Sequence, residues 1–379
     1  MVSFDYTPRT RVVLRTGALS MLGDVCRDLG FRRTLLVSDP GIVRAGFAAR
    51  AQARLEDAGM AVVRFDDFGA NPDTAMVERG RQVAAAAGVD SIVAVGGGSS
   101  LDCAKGINFV VTNGGSARDY RGYGKALRPM LPMVAVPTTA GTGSDAQSYA
   151  LISDSETHEK MACGAPGAAF RVALLDPELT TSQPRDVTAV AGYDALSHAV
   201  ETFVTTRRTA MSDLFAREAW RLLSGSYLRV LEQPDDLGAR AAMLAGSHFA
   251  GLAIEQSMLG ATHACANPLT ARYGTTHGVA IALMLPHVVR WNGELVRDRY
   301  AELIAVVGWS ATGDPGEQLA QRVQGFAAAG DLPVRLRDAG VVAHDLPALA
   351  AAAATQWTGT FNPRPFSAEA ALALYERAF

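Results

Sequence analysis

The sequence predicts an α/β domain followed by an all-helical domain, on two observations. Up to about residue 178, short runs rich in β-branched residues and leucine alternate with longer helical stretches, which is typical of an open α/β sheet. From residue 186 onward, segments rich in Ala, Leu, Arg and Glu have a helical period and are separated by prolines and glycines. A polar connector between Pro177 and Pro184 divides the two patterns. We therefore expect domains at residues 1–180 and 181–379.

Six runs in the first half have the length and composition of strands. In chain order they are "TRVVLR", "TLLVSD", "AVVRFDD", "SIVAVGG", "LPMVAVP" and "RVALLDP". The helical stretches between them have the length of helices in strand–helix–strand units. In the second half we expect helices throughout, with Ala-rich runs such as "ALAAAAA" at residues 348–354 inside them.

The composition indicates a soluble globular protein. Of its 379 residues, 49% are hydrophobic and 19% charged, which is enough to fill the cores of two or three domains. The net charge of −3 gives no excess of positive charge to bind a phosphate backbone, so we expect no nucleic-acid partner. No run approaches the roughly 18 apolar residues of a membrane span, and the first residues lack a signal-peptide pattern, so we expect a cytoplasmic protein without a membrane partner. The cysteines form no C-x-x-C pair and are expected as reduced core residues: Cys26, Cys103, Cys163 and Cys265.

Two glycine-containing turns follow predicted strands. In "SIVAVGGGSSLDCAK" an apolar run ends in Gly96, Gly97 and Gly98, and Ser99 opens a possible helix. Glycines let the backbone approach a phosphate, and the N–H groups at a helix start favour an anion. A tight strand-to-helix turn without a ligand is the alternative. The second turn, "LPMVAVPTTAGTGSD", repeats the arrangement, so one dinucleotide could contact both.

The acid expected near the dinucleotide is Asp39. Neither turn is a G-x-G-x-x-G motif, and no acid at the end of a strand lies about 20 residues after the glycines. Asp39 closes the run "RTLLVSD", where its carboxylate could accept hydrogen bonds from an adenosine ribose and would repel a 2′-phosphate. This favours NAD over NADP. The alternative is a helix N-cap in front of "PGIVRAG".

A candidate metal site begins in "AGYDALSHAVETFV". Asp194 precedes His198 by four residues, so both side chains would lie on one face of a helix, as metal ligands or as an ion pair. His263 and His277 lie among small residues, and Pro268 and Gly274 between them predict two helices that meet at a loop. One carboxylate and three imidazoles suit Zn²⁺ or Fe²⁺, which would polarise a carbonyl or acidify an alcohol. With a nicotinamide, such a site would transfer hydride. The remaining histidines are expected to be structural or exposed: His158, His248, His287 and His344.

The motifs together resemble the iron-containing, group III alcohol dehydrogenases along essentially the whole chain. The matching segments are "GGGSSLDCAK", "PTTAGTGSD", "GYDALSHAVE", "HACANPL", "TTHGVAIALMLPHVVRWN" and "TGTFNPRP". The resemblance implies an α/β N-terminal dinucleotide-binding domain plus an all-α C-terminal domain, a fold shared with dehydroquinate synthase-like enzymes, and an active site in the cleft between them. It implies a divalent metal, commonly Fe²⁺ with Zn²⁺ possible, held by Asp194, His198, His263 and His277.

The same resemblance assigns further residues. It implies that NAD contacts Gly96, Gly97, Gly98, Ser99, Asp102, Thr138, Thr139 and Thr142, with Asn71 and Lys160 as weaker matches, and Asp39 takes the position that favours NAD. Asn267 stands where relatives often carry a second histidine that exchanges protons with solvent, so the proton route is left unassigned. Tyr149 and Ile254 are expected to face the substrate. A homodimer formed through the N-terminal strand region is expected.

The function that follows is an NAD-dependent and metal-dependent alcohol dehydrogenase or aldehyde reductase. It would transfer a hydride between NAD(H) and a metal-bound alcohol or carbonyl of a small molecule. A maleylacetate reductase or a hydroxyacid–oxoacid transhydrogenase is a close alternative, and either would require cationic groups for a substrate carboxylate. A dehydroquinate synthase-like lyase would need several basic residues, whereas Arg272 and Arg290 are the nearest to the predicted ligands. A non-catalytic NAD-binding sensor is the alternative of a different class.

Overall fold

The chain forms two compact units in a computed structural model that describes residues 4–311 and 313–379. The first unit is Thr7–Gln183, and the second is Pro184–Phe379 together with residues 4–6. The first is an α/β unit and the second is built from helices, so the predicted fold class is confirmed.

A six-stranded parallel sheet forms the centre of the first unit. Its strands are β1 (Arg11–Leu14), β2 (Arg33–Val37), β3 (Ala61–Phe65), β4 (Ser91–Gly96), β6 (Met133–Pro137) and β9 (Val172–Leu175). They are arranged in the order β1-β9-β6-β4-β2-β3, and every neighbouring pair is parallel. These are the six strands that the sequence predicts. Strands β4, β6 and β9 are buried along their whole length, as expected for central parallel strands.

A second, three-stranded sheet was not predicted from the sequence. It comprises β5 (Gly122–Tyr123), β7 (Tyr149–Ser153) and β8 (Lys160–Gly164), in the order β5-β8-β7. Strand β8 pairs antiparallel with β7 and parallel with β5. Strand β5 has two residues, which is too short to leave a hydrophobic period in the sequence.

Helices cover both faces of the large sheet. They are α1 (Leu22–Asp28), α2 (Pro40–Arg44), α3 (Phe47–Asp57), α4 (Thr74–Ala87) and α5 (Gly98–Asn113). Helices α1 and α3 share one core with alternate residues of the strands, among them Leu36, Val93, Val134 and Leu174. Helices α4 and α5 pack together elsewhere on the sheet, where α5 follows β4 directly. Short 3₁₀ helices occupy several connections: Ala18–Met21, Ala117–Tyr120, Pro166–Ala168 and Pro177–Thr180.

The second unit is a set of helices around a buried central helix. Its helices are α6 (Arg185–Val204), α7 (Ala210–Glu232), α8 (Leu237–Glu255), α9 (Ala261–Tyr273), α10 (His277–Asn292), α11 (Arg297–Val306), α12 (Pro315–Ala329), α13 (Leu346–Ala354) and α14 (Ala368–Ala378). Short 3₁₀ helices are Leu336–Ala339, Ala343–Asp345 and Trp357–Phe361. Helix α6 packs against α7, α8 and α10 and is buried without interruption from residue 192 to residue 204. Polar side chains on that stretch therefore lie inside the unit.

Helix α8 is long and apolar enough to cross a membrane by length and composition alone. Its mean hydropathy is 1.2, and 67% of the residues in that window are buried inside the unit. This degree of burial against α6 and α7 matches a core helix of the second unit. All four cysteines are buried and unpaired, as the scattered spacing predicts.

Candidate metal and dinucleotide sites

Helix α6 presents Asp194 and His198 on one buried face. They lie one helical turn apart, and the side chains are 6% and 5% exposed. The Oδ1 atom of Asp194 lies 3.4 Å from Nε2 of His198. This burial excludes the surface ion pair that the sequence left open as an alternative, and leaves the pair facing the interior of the helical unit.

His263 and His277 come from two helices that meet at a short loop. His263 is the third residue of α9 and His277 is the first of α10, with Gly274 in a left-handed conformation at the end of α9. The predicted pair of helices is confirmed, but the expectation that Pro268 helps to divide them is wrong, because Pro268 lies inside α9. The chain turns at Gly274, where glycine adopts a positive φ at little cost.

The start of α10 lies against α6. A Cβ atom on Gly278 would be 2.3 Å from the carbonyl oxygen of Val190, so only a glycine permits this approach. The close contact brings His277, the residue before it, towards Asp194 four residues beyond Val190. His277 is also the most open of the four side chains, with 23% exposure against 5% for His263.

The three imidazoles converge on one carboxylate oxygen. Nε2 of His263 and Nε2 of His277 each lie 3.7 Å from Oδ1 of Asp194, close to the 3.4 Å of His198. Two ligands of a tetrahedral ion at about 2.1 Å would be roughly 3.4 Å apart. The rings of His198 and His263 are stacked with centroids 5.0 Å apart, and those of His263 and His277 are 5.4 Å apart. The structure therefore brings all three predicted histidine ligands close to Asp194, and the ligand atoms of Asp194, His263 and His277 lie within 4.8 Å of one another, as a metal site requires.

Buried atoms without hydrogen bonds support the same conclusion. In the described part of the chain, Oδ1 of Asp194 and Nε2 of His263 are buried and have no hydrogen-bond partner. Leaving such atoms unpaired is costly unless an ion or water satisfies them. A carboxylate oxygen and an imidazole nitrogen facing each other at 3.7 Å fit a divalent cation between them.

The electrostatics of the cluster favour a cation. Burial alone would raise the pKa of Asp194, but His198 and His277 lower it below its usual range. Burial would lower the pKa of His263, whereas the carboxylates of Asp194 and Glu201 raise it to about 9. At 3.7 Å the contribution of Asp194 is an attraction between charges rather than a hydrogen bond. Because the two carboxylates stabilise a proton here, they would also stabilise a metal ion.

The sequence reasoning missed Glu201. Its Oε2 lies 2.6 Å from Nδ1 of His263, and its side chain is 4% exposed. Glu201 lies seven residues after Asp194, two turns along the same face of α6, so helical spacing alone could have drawn attention to it. The resemblance places His263 beside Asp194, but nothing in the sequence indicates that Nδ1 of His263 would meet Glu201.

In the first unit, most of the predicted dinucleotide residues lie at or just after the carboxyl ends of three adjacent strands, whereas Asn71 follows β3, Asp102 lies in α5 and Lys160 begins β8. The chain leaves β2 towards β3 on one side, and leaves β4 towards β6 on the other. The carboxyl ends of β2 and β4 therefore flank a point where the strand order reverses, which is where open α/β sheets bind ligands. Asp39 follows β2, the glycines follow β4, and Thr138, Thr139 and Thr142 follow β6.

The two glycine-containing turns touch. A Cβ atom on Gly97 would lie 3.2 Å from the side chain of Thr139, and one on Gly98 would lie 2.6 Å from Thr142. Gly98 is the first residue of α5, so the helix start and the second turn share one surface. Exposed N–H groups at such a start favour a phosphate.

Asp39 is a helix N-cap, which is the alternative role that the sequence left open. It caps α2, since its Oδ1 accepts hydrogen bonds from the backbone N–H groups of Gly41 and Ile42 at 2.9 and 3.2 Å. Its Oδ2 accepts a hydrogen bond from Oγ of Ser100 at 2.9 Å. Ser100 belongs to α5, so Asp39 also connects the end of β2 to the helix that follows the glycines.

The remaining predicted dinucleotide residues surround this surface. Asn71 has a φ of 53° and donates its backbone N–H to Oγ of Ser99 at 3.2 Å. Asp102 is buried, and burial raises its pKa although Lys105 and Lys160 oppose the shift. Among the described residues, Oδ1 of Asp102 and Oγ1 of Thr138 are buried without hydrogen-bond partners. These atoms offer an acceptor and a hydroxyl to a bound ligand.

Three weaker predictions concern the substrate and the proton route. Asn267 lies on α9 and its Nδ2 donates a hydrogen bond to Oε1 of Gln356 at 3.0 Å. Tyr149 begins β7 and is half-buried, with its ring 5.3 Å from that of Tyr123. Ile254 is buried near the end of α8.

Comparison with known proteins assigns the chain to a family. The family model described as "Iron-containing alcohol dehydrogenase" matches residues 8–177, and "Fe-containing alcohol dehydrogenase family, C-terminal" matches residues 188–379. The chain belongs to the iron-containing alcohol dehydrogenase family. It is 32% identical to lactaldehyde reductase of Escherichia coli (strain K12) over 369 residues, which cover 96% of both chains.

Other members are similarly close. The NAD-dependent methanol dehydrogenase of Bacillus methanolicus is 31% identical over 368 residues, again 96% of both chains. The crystal structure of a 1,3-propanediol oxidoreductase has 32% identity and a TM-score of 0.94, covering 100% of both chains. The maleylacetate reductase of Agrobacterium tumefaciens shares the fold at 26% identity and a TM-score of 0.84. The predictions of the family, of an alcohol dehydrogenase or aldehyde reductase, and of NAD and iron as cofactors are thereby confirmed.

Proposed function

We propose that this enzyme interconverts small alcohols and their aldehydes, with NAD(H) as hydride carrier and one divalent ion bound by Asp194, His198, His263 and His277. The ion is Fe²⁺, with Zn²⁺ as a second metal that suits the same ligands. The observation that supports this proposal is the convergence of three imidazole Nε2 atoms on Oδ1 of Asp194, at 3.4 to 3.7 Å. When bound, the ion withdraws electron density from a substrate oxygen.

The residues of the helical unit bind and orient the ion. Asp194 supplies the negative charge that offsets it, and burial of Asp194 and His198 keeps water from competing for their ligand atoms. We assign the open side of the site to His277, whose side chain is the most exposed of the four. The proposed metal ligands all belong to the predicted helical domain, residues 181–379.

The residues of the α/β unit, in the predicted domain 1–180, bind the dinucleotide. We assign the diphosphate to the N–H groups at Gly96, Gly97 and Gly98 and the start of α5. Asp39 receives the adenosine ribose and disfavours a 2′-phosphate. The remaining contacts are assigned to Asn71, Ser99, Asp102, Thr138, Thr139, Thr142 and Lys160.

The side chain at residue 267 does not take part in proton exchange. Asn267 hydrogen-bonds Gln356 and has no ionisation near neutral pH. Solvent is therefore the proton partner in the proposed reaction. Tyr149 and Ile254 are retained as proposed substrate neighbours.

The substrate class is a small neutral alcohol or aldehyde. The names of the relatives specify lactaldehyde, methanol and 1,3-propanediol. An acidic substrate, as in a maleylacetate reductase or a hydroxyacid–oxoacid transhydrogenase, would need a cation to bind its carboxylate. Arg272 is engaged by Asp345, with both carboxylate oxygens within 2.8 Å, and Arg290 is engaged by Glu317. Neutral substrates are therefore favoured.

We further propose a homodimer in the cytoplasm. Strand β1 is an edge strand of the large sheet, and its Val12 and Leu14 are 40% and 42% exposed. Unpaired edges of this kind can add a strand from a second chain. The apolar side chains there would then be covered. Size-exclusion chromatography with light scattering on the wild type and on Val12→Lys tests this, since a monomeric wild type would contradict it.

The activity is tested by reconstituting the metal-free protein with Fe²⁺ or Zn²⁺. Turnover is measured with NADH and NADPH on a panel of small aldehydes and keto acids. We expect metal-dependent oxidation of NADH with the aldehydes, slower reaction with NADPH, and little with keto acids. His277→Ala should abolish turnover, whereas the matched change at the exposed His344 should leave it intact. Absence of turnover with every carbonyl compound would instead favour a sensor.

A further inference from the structure

Helix α9, which carries His263, begins without a cap of its own. The residue before it, Gly260, has no side chain to bond the first backbone N–H groups. Two side chains from distant parts of the chain do so instead. Oδ1 of Asn362 accepts from the N–H of Ala261 at 3.3 Å, and Oε1 of Glu201 accepts from the N–H of Thr262 at 2.7 Å.

Glu201 uses its second oxygen on the imidazole of the next residue. Oε2 lies 2.6 Å from Nδ1 of His263, and the carboxylate is buried. The carboxylate therefore meets two neighbouring groups of α9, with Oε1 accepting from the N–H of Thr262 and Oε2 within hydrogen-bond distance of Nδ1 of His263. A carboxylate only accepts, so in this arrangement Nδ1 of His263 donates. The other nitrogen, Nε2, faces Oδ1 of Asp194 at 3.7 Å and is the one available to bind an ion.

The surroundings hold Glu201 in this position. Asn362 pairs with Asn292 through two hydrogen bonds of 3.0 and 2.9 Å, and both amides are buried. A Cβ atom on Gly260 would lie 3.1 Å from Oε1 of Glu201 and 3.1 Å from Oδ1 of Asn362. The turn before α9 therefore packs directly against both side chains, which restricts the rotation of Glu201.

We propose that Glu201 is a positioning residue that sets the tautomer and orientation of His263 and thereby the affinity of the metal site. The inference rests on the proposed metal function of His263. One carboxylate connects α6, which carries two ligands, to the start of α9, which carries a third. A ligand histidine whose second nitrogen donates to a carboxylate is more basic and loses less entropy on binding an ion.

The test is the dissociation constant of Zn²⁺ for Glu201→Gln, measured by competition with a chromophoric chelator. A glutamine amide presents one acceptor and one donor group, so either Thr262 N–H or His263 Nδ1–H loses its acceptor. We expect Zn²⁺ to bind about 10- to 100-fold more weakly. NAD affinity, measured in the same samples, should not change.

The matched control is Asp345→Asn. Asp345 is another buried carboxylate of the helical unit, and it binds Arg272 and Tyr273 rather than a predicted metal ligand. We expect it to destabilise the protein without changing the Zn²⁺ dissociation constant. A folded Glu201→Gln with wild-type Zn²⁺ affinity would overturn the proposal.

A second measurement needs no variant. Nitrogen-15 NMR of histidine-labelled wild-type protein with Zn²⁺ bound reports which ring nitrogen of His263 carries a proton. We expect Nδ1–H, and an unprotonated Nδ1 would overturn the proposal even if Glu201→Gln failed to fold. Failure of the wild type to bind Zn²⁺ at all would instead refute the proposed metal function.

Discussion

At the scale of single residues, two carboxylates in this enzyme each bond to two different elements. Asp39 caps α2 with one oxygen and accepts from Ser100 with the other. Glu201 bonds the start of α9 and the ring of His263. Each acid thereby joins two elements that are distant in sequence. A substitution that keeps the shape but removes the charge can separate these structural contacts from a role in binding.

Asp39→Asn applies this reasoning to cofactor choice. Asparagine caps helices about as well as aspartate, so the free energy of unfolding should change by no more than about 0.5 kcal/mol. The charge that would repel a 2′-phosphate is lost, and we expect the ratio of kcat/KM for NADPH over NADH to rise. Steady-state kinetics with both cofactors and a urea titration measure the two effects. An unchanged ratio would mean that Asp39 acts only as a helix cap.

At the scale of elements, helix α5 organises the dinucleotide surface from both of its sides. Its first residue, Gly98, touches the second turn at Thr142. Further along, the fully buried Lys105 donates to the carbonyl oxygens of Ser144, Gln147 and Tyr149 at 2.6 to 2.8 Å. The helix thus fixes the segment that follows β6 relative to the glycines.

Gly98→Ala tests the contact at the helix start. The added methyl group would lie 2.6 Å from the Thr142 side chain and must displace it, so we expect weaker NAD binding by fluorescence titration. Gly225→Ala in α7 is the matched control, because a Cβ atom there meets nothing within 4 Å. The control should bind NAD normally and be slightly more stable. Equal NAD affinity in both variants would show that the contact between Gly98 and Thr142 does not contribute to NAD binding.

Lys105→Met tests the internal anchor. Three buried carbonyl groups would lose their donor, and we expect a loss of about 2 kcal/mol or more in the free energy of unfolding. NAD binding should also weaken, because the segment after β6 is no longer held. Lys125→Met, at an exposed position, is the control and should alter neither quantity by much. Urea unfolding and NAD titration of the two variants decide the matter.

At the scale of the whole molecule, the two functions are assigned to separate compact units. The predicted dinucleotide residues all lie within Thr7–Gln183, and the predicted metal ligands all lie within Pro184–Phe379. Each unit has its own buried core. Residues outside the proposed sites can therefore affect the free energy of unfolding, and His287 on α10 is one of them.

His287 should make stability fall in mild acid. Burial, with smaller effects from Arg290 and Arg377, lowers the pKa of His287 from 6.5 to about 4. The unfolded chain therefore binds the proton more readily, so this contribution is complete above pH 6.5 and is lost as the pH falls towards 4. We expect the urea midpoint of the wild type to drop more between pH 7 and pH 5 than that of His287→Gln. His344→Gln, at a side chain that is 82% exposed, should behave like the wild type.

Local pattern accounts for the elements that could be predicted. Strands β4, β6 and β9 are continuous apolar runs because both of their faces are buried, and this leaves a clear signal in the sequence. The pair Asp194 and His198 follows from helical period alone. Strand β5 was missed because it has only two residues, and β7 and β8 were missed because "YALIS" and "KMACG" are partly exposed and form no continuous apolar run. The prediction that Pro268 helps to end a helix was wrong, because packing can maintain a helix through a proline.

By itself, the sequence determined the fold class, the family, and which residues could bind a metal or a dinucleotide, because these depend on residue type and local spacing. Only the tertiary structure decided that the Nε2 atoms of His198, His263 and His277 lie within 3.7 Å of one oxygen of Asp194, and that Glu201 holds His263 from behind. Such contacts depend on how helices pack, and packing brings together residues that are not related by any regular spacing along the chain.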